Sequence, residues 1–455
     1  MRATYIPSRP PEGAGEGIPP ESLAACLARY SRSNEGIEKI LKESAGKSPD
    51  AIFKFIDYGH ASIGGLTGGI AIAVDGISML LAYRLFEFAQ MADGQECSTR
   101  YIAIDQTGLP KPAEIGIPKK IQDLWLETCH EGFRLYEMTR CALETEIADH
   151  PETAQIPAEA LDKPKVLGRM LKNYALDRAR YFLPVATKTG MVLVATARIW
   201  ADTLRLLESL QWPEAVKASA LIRAELEKVS PNLVRHSHPD NASIALAFEL
   251  MQAGQKKAAT ADMEALSGRA PTRCRLDIFD GPSFNALEEN LAEGLTTRTN
   301  RYCHTGLALK RQTVRVQWDR VAIAELRDLN RHRTGFRFSD FSPQGFYIPE
   351  EAWAALSKTA WGSEIGPFRG KYRELVARLA REGQTGIQAY GYFLGTQVPF
   401  EHTQQADKFL YEVELRTGLG AHFKYAEHLK QAAELYFEKF PETREAIQIG
   451  KGEPE

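Results

Sequence analysis

The sequence predicts an α/β (α+β) protein built as two tandem repeats, each a small sheet packed with long helices. Three observations predict it. Leu66, Gly68, Ile70, Ile72 and Val74 alternate as a half-buried strand does, and Val314, Val316 and Trp318 do the same. Each strand precedes a helix-like segment, and long amphipathic stretches follow each of them. Arg84 with Arg327, and Leu183 with Leu394, also set up two constant offsets, 243 and 211 residues.

At 455 residues the chain exceeds the size at which one hydrophobic core usually stops growing, so two domains are expected. Residues 1–20, rich in Pro, Gly and Glu from Pro7 onward, read as an arm, with folding expected from Glu21. Residues 21–250 read as the first repeat, 251–282 as a polar and partly helical linker, and 283–455 as the second repeat. Within the first, Ser22 to His60 has helical spacing and Lys119 to Ala148 reads as one long helix. Lys165 to Ala179 is another, and Thr189 to Val229 reads as a helical pair broken near Trp212-Pro213. The second repeat continues from its strand into a helix over Val321 to Leu329, a turn-rich loop, and helices near Glu350, Tyr372 and Gln405 to Phe440. The offsets differ by 32, so the first half carries that many additional residues, expected to extend the helices around Cys129.

Composition narrows the function classes. A net charge of −3 with 25% charged residues gives no chain-wide attraction to nucleic acid. The longest apolar run, Gly68 to Leu81, is interrupted by Asp75 and Gly76 and is too short to cross a bilayer. Six scattered cysteines without CxxC or zinc spacing point to a reducing cytoplasm. His236 and His238 have no third ligand at a metal-site spacing. Gly64 to Gly69 lacks the Lys-Ser/Thr of a phosphate loop and reads as a strand entry. Cys97 reads as a core thiol.

The densest chemistry is Arg331-His332-Arg333, followed by Thr334-Gly335. Three such side chains together expect an anion, although an arginine closing a helix also serves the helix dipole. Upstream lie Gly59-His60-Ala61-Ser62, Glu96-Cys97-Ser98-Thr99-Arg100-Tyr101 and Ala179-Arg180-Tyr181-Phe182-Leu183-Pro184. Arg100 and Arg180 suit either ligand contacts or ion pairs, and His60 either a flavin-proximal place or a turn cap.

Together these pieces resemble the flavin-dependent thymidylate synthase family, met twice along the chain. Its motif runs Arg-His-Arg, seven residues, Ser, any residue, Arg, preceded by a Gly-His-x-Ser/Thr turn. The first half keeps Ser98 and Arg100 but has Phe88-Ala89-Gln90 at the tripeptide. The second keeps the tripeptide but has Phe341 and Pro343 at the Ser and Arg positions. Arg180 faces Gly391, and Arg416 in Glu414-Leu415-Arg416-Thr417 faces Leu207, or Arg205 in another register.

The resemblance implies that dUMP is held by Glu96, Ser98, Thr99, Arg100, Arg180 and Arg331. Arg416 would stabilise the N3-deprotonated pyrimidine as the catalytic residue. It implies FAD at His60, Ser62, Glu96, Arg198, Arg331, His332 and Arg333, although Thr196 and Asp202 depart from the family's asparagines. NADPH and methylenetetrahydrofolate would be co-substrates, and no metal is implied. Two chains would pair as a homodimer forming a pseudo-tetramer with composite sites. A degenerate relative that binds flavin or nucleotide without thymidylate synthesis is the alternative, favoured by Phe88-Ala89-Gln90, Phe341 and Pro343.

Overall fold

A computed structural model describes residues 1–6, 18–30, 39, 42–43, 47–50, 65–100, 102–151, 156, 163–260, 271–280, 291, 293–332, 334–418 and 421–450. His60, Ser62 and Arg333 lie outside the described residues.

The chain folds around two antiparallel sheets. The first has the order β1-β2-β4-β3, from β1 (Arg2–Ile6), β2 (Ile70–Ser78), β3 (Asp93–Glu96) and β4 (Lys188–Ala195). The second has the order β5-β6-β9-β7, from β5 (Cys274–Phe279), β6 (Thr313–Ala322), β7 (Phe336–Phe338) and β9 (Thr396–Gln405), with β8 (Gly345–Phe346) pairing β9 off this path. The four strands of the first sheet have counterparts in the same order in the second, where β8 is additional. Even the bulges do: β2 slips register between Asp75 and Ile77, and β6 between Trp318 and Val321, where the 243-residue offset puts it.

Helices complete each half. The first contributes α1 (Pro20–Tyr30), α2 (Met79–Phe88), α3 (Gln122–Asp149), α4 (Pro164–Ala179), α5 (Ala197–Ser209), α6 (Pro213–Glu227) and α7 (Asn241–Thr260). The second contributes α8 (Leu307–Arg311), α9 (Ile323–Leu329), α10 (Glu350–Leu356), α11 (Ala360–Glu382), α12 (Ala406–Arg416) and α13 (Phe423–Lys439). The chain turns from β2 into α2 because the Ser78 hydroxyl caps it, accepting from the backbone N–H of Leu81. At the matching turn Ala322 has no such hydroxyl. There the Glu325 carboxylate reaches back to the Ala322 N–H at 3.0 Å.

Several expectations are corrected. Arg2–Ile6 is an edge strand paired with β2 rather than part of an arm. Thr189 to Ala195 lies in a strand, because Met191, Leu193 and Ala195 alternate inward with period two. The stretch read as linker holds the end of α7 and the whole of β5, an edge strand of the second sheet. Composition alone does not separate an edge strand such as β5 from a connection. Leu66 belongs to a short 3₁₀ turn, Gly65–Thr67, ahead of β2. Cys97 is exposed, since it follows the buried Glu96 on the outer side of an edge strand.

The halves share one hydrophobic core, and they join at the residues that anchor the repeat. The N–H of Leu394 donates to the carbonyl of Leu183 at 2.8 Å, and that of Gly395 to Tyr181 at 2.7 Å. In the other direction Val185 N–H donates to Tyr392 at 3.0 Å. Phe182, Phe346, Phe368 and Phe393 pack across this seam mostly edge-on or tilted. Such a dry, hydrogen-bonded join fixes the two sheets relative to each other and so fixes any site between them.

Candidate functional site

A cleft of about 1310 Å³ opens between the β3 edge of the first half and the second half. Met91 to Gln95 form one wall. Arg331, His332, Thr334, Gly335, the end of β9 and the α12 residues Asp407, Lys408, Tyr411 and Arg416 form another. The third wall is the segment Arg298 to Thr305 with Lys310. Gly335 makes the tripeptide's turn possible: its φ is +77°, and a Cβ there would run into the carbonyl of Thr403.

Within the cleft the tripeptide is less cationic than its sequence. His332 receives a hydrogen bond at Nε2 from Arg416 Nε at 2.7 Å, so that nitrogen carries a lone pair and the ring is neutral. Burial first, and Arg416 beside it, push its pKa down to about 3. Behind it Glu412 accepts from Gln404 at 2.5 Å and pairs with His402 at 3.2 Å. Arg331 follows the last turn of α9 and points to the cleft, 3.9 Å from Glu96. Glu96 is buried and pairs closely with Arg327, so a first-half carboxylate bridges two second-half arginines.

Beneath the cleft the other predicted residues come together. Arg100 forks onto Asp177 at 2.9 and 3.2 Å. Arg180 reaches Asp328 at 3.2 Å and the Thr99 hydroxyl at 3.4 Å. Ser98 turns its hydroxyl back to accept from the Arg100 N–H at 3.1 Å. Burial would raise the Asp328 carboxyl, but Arg180, Arg331, Arg100 and Arg416 outweigh it and hold the group well below the usual carboxylate range. Two arginines of each half therefore surround one carboxylate within a single chain. Helices α5 and α12 start at Ala197 and Ala406, which sets Arg416 against Leu207.

Arg198 does not join them. It lies on α5 beside Gly65 and does not line the cleft, because the helix after each sheet packs against its own half. Its place beside the tripeptide is taken by Asp407 and Lys408 of α12.

Sequence reasoning missed the third wall. The 243-residue offset carries Gly59-His60-Ala61-Ser62 onto Tyr302-Cys303-His304-Thr305, a signal present in the chain but blurred by the loss of its Gly and His. Thr305 keeps the hydroxyl, and among the described residues its Oγ1 and the Nε of Arg331 are buried without hydrogen-bond partners. It also missed Asp177 and Asp328, which no motif marks. Among the described residues no group of His, Cys, Asp and Glu could hold a metal ion, and no helix is long and apolar enough to cross a membrane.

Comparison with known proteins agrees with the first half. Residues 18–232 match the family model described as thymidylate synthase complementing protein. A UPF0159 protein of Chlamydia pneumoniae is 25% identical over 251 residues, 49% of this chain and 46% of the relative. One of Thermoplasma acidophilum is 25% identical over 241 residues, 46% of this chain and 47% of the relative. The chain thus spans about half the length of the curated relatives it matches. A UMP/dUMP methylase, PolB from Streptomyces cacaoi, solved with 5-Br dUMP, covers 51% of this chain and 93% of its own at 13% identity. Its TM-score of 0.32 is too low to bear on the fold. Strands β2 to β4, the Glu96 to Arg100 run and the Arg180 helix end all lie inside the stretch, residues 18–232, that matches the thymidylate synthase complementing protein family model.

Proposed function

We propose that this chain is a flavin-dependent thymidylate synthase-like enzyme that methylates a uracil nucleotide, dUMP to dTMP, at a composite site between two divergent repeats. The observation that carries this reading is the convergence of Arg100 and Arg180 from one half with Arg331 and Arg416 from the other around Asp328. Residues far apart in the chain come together here, as the reading of a composite site expects. The family match over residues 18–232 supports the same reading.

The cleft suits a dinucleotide cofactor. Arg301, Lys310 and Arg331 supply positive charge along its walls, and the buried, unpartnered Thr305 Oγ1 and Arg331 Nε are donors waiting for an acceptor. FAD held there would supply the reducing equivalents of the methylation, drawn from NADPH, with methylenetetrahydrofolate as the one-carbon donor. Arg416 is the residue for the pyrimidine. Its guanidinium is fixed on one side by neutral His332 and lies 5.6 Å from the Tyr425 ring, so it is preorganised to stabilise negative charge developing on a ring. Because His332 is neutral, it does not compete for that charge.

In this reading one composite site would be built within one chain from Ser98, Arg100, Arg180, Arg331 and Arg416, and two chains would add a second by forming the expected pseudo-tetramer. The free cysteines suit a reducing cytoplasm. The test is to purify the chain, record absorbance in the flavin bands, and measure tritium release from C5-labelled dUMP with NADPH and methylenetetrahydrofolate. Flavin with tritium release supports the enzyme. Flavin without release favours the degenerate relative, a reading the internal pairing of Arg100 and Arg180 would explain. Neither flavin nor dUMP binding would sink both.

A further inference from the structure

Arg100 and Arg180, two of the three arginines that the resemblance places on dUMP and candidates for its phosphate, already hold carboxylates that the chain itself supplies. Arg100 gives its Nε and Nη2 to Asp177, and Arg180 gives Nη2 to Asp328 and Nη1 to Thr99. Both guanidiniums are buried, at 7% and 2% exposure, and Asp328 is buried with them at 6%. Asp328 takes Nη2 of Arg180 while Arg180 Nε stays buried without a partner among the described residues, so a phosphate meets a guanidinium whose charge a carboxylate already counters. Arg331, which the resemblance places on both dUMP and FAD, lies 3.9 Å from Glu96, and Arg416 donates to His332.

The two carboxylates differ in origin. Asp177 lies on α4, one turn before Arg180, and belongs to the same half as both arginines. Asp328 reaches in from α9 of the other half, one turn before Arg331. At the pseudo-equivalent place the offsets put Leu85 for Asp328 and Gly391 for Arg180. Acid and base are therefore kept together at one of the two positions and lost together at the other. That is the pattern of a specific pair, because a buried arginine or aspartate left alone would be costly.

Resting on the functional reading above, we propose that Asp328 is an internal anion that competes with the substrate's phosphate for Arg180. The site then accepts an uncharged pyrimidine nucleoside nearly as well as its monophosphate. Asp328 becomes a specificity-determining residue, setting how much of the binding comes from the phosphate and how much from the base and sugar.

Titration calorimetry on the full chain, with deoxyuridine, dUMP and inorganic phosphate as separate probes, tests it. Wild type should bind deoxyuridine and dUMP within about threefold of each other and bind phosphate weakly. Asp328→Asn keeps the side-chain volume and one acceptor for Arg180 but removes the charge. It should bind dUMP about tenfold or more tightly and gain phosphate binding, with deoxyuridine unchanged. A wild-type preference for dUMP of about a hundredfold that Asp328→Asn abolishes overturns the proposal, since Asp328 would then be holding Arg180 in place for the phosphate. The wild-type ratio decides even if the variant does not fold. If neither pyrimidine binds any form, the functional reading falls and the phosphate arm still decides this one. Phosphate gained by Asp328→Asn supports it; phosphate bound by neither form, or bound by wild type and lost in Arg180→Gln, overturns it.

Discussion

Around Arg331 the molecule has a large cleft with several cations, while around Phe88-Ala89-Gln90, at the matching place in the other half, it has a smaller cavity of about 430 Å³ where Phe88, Ile199, Leu206 and Leu246 meet Gln90, Asp202, Arg205 and Asp240. The frames are alike, with the same strand order and bulge position, so the difference lies in side chains. On one side Arg327 crosses to Glu96 of the other half. On the other, Arg84 turns back to Glu87 of its own helix, and the space where it would have met a partner holds Phe341. Phe341 is buried under Arg84, with 4.4 Å from the guanidinium to its ring, and Tyr83 meets it edge-on at 5.1 Å. Its φ is +52°, a conformation that costs a bulky residue about 1–3 kcal/mol and is held by packing and by Tyr392, whose hydroxyl donates to its carbonyl at 3.0 Å. One interface has kept charge and open volume, and the other has become core.

If that contrast is right, the two interfaces will fail differently. Replacing Arg327 with Met leaves Glu96 buried beside the more distant Arg331, and should cost about 3–5 kcal/mol in urea unfolding. The double variant Arg327→Met, Glu96→Gln should recover part of it. At the filled interface Phe341→Ala should cost a similar amount, about 3–5 kcal/mol, through a cavity. There, salt should change the penalty little, because the charges nearest Phe341, Arg84 and Glu87, are buried. An equal response of both variants to ionic strength would contradict the distinction.

A smaller effect concerns Glu325, which packs behind the charged interface against Tyr181. Burial pushes its pKa from 4.5 to about 7. In the unfolded chain it ionises near 4.5, so between that pH and about 7 the folded state binds more protons and stability falls as pH rises. Above about pH 7 the full penalty is present, about 3 kcal/mol for a shift of this size. Glu325→Gln should flatten that slope and gain stability at pH 8, as read by thermal unfolding across pH. No change in slope would place the titration elsewhere.

The smallest expected change is in binding. Arg331→Gln should weaken flavin retention about 10- to 100-fold by removing one charge-assisted contact, whereas Gln90→Ala in the other cavity should leave it untouched. Flavin absorbance after gel filtration reads both. Equal loss from both variants would mean that the small cavity also takes cofactor.

Much of the fold was legible. The alternation in β2 and β6, the long helices, and the Leu183–Leu394 anchors follow from local periodicity, which sequence carries directly. The strand at Thr189 to Ala195 was missed because a central strand next to a helix presents a mostly apolar run, where periods of two and 3.6 are hard to separate. The 251–282 stretch was misread because edge strands are polar on their open side, as connections are. The tripeptide and the Glu96 to Arg100 run stood out because charged clusters are rare in cores.

The sequence by itself carried the periodicity of the main strands and helices and the clustered polar residues of Glu96 to Arg100 and of Arg331-His332. It could not determine what those charges do to one another, because ionisation and pairing depend on distances between residues far apart in the chain. Only the tertiary structure decided that Arg100 and Arg180 are held by Asp177 and Asp328, that His332 is neutral against Arg416, and that Phe341 fills the reciprocal interface. Burial is the physical reason: out of water, a charge takes its meaning from the few groups packed around it.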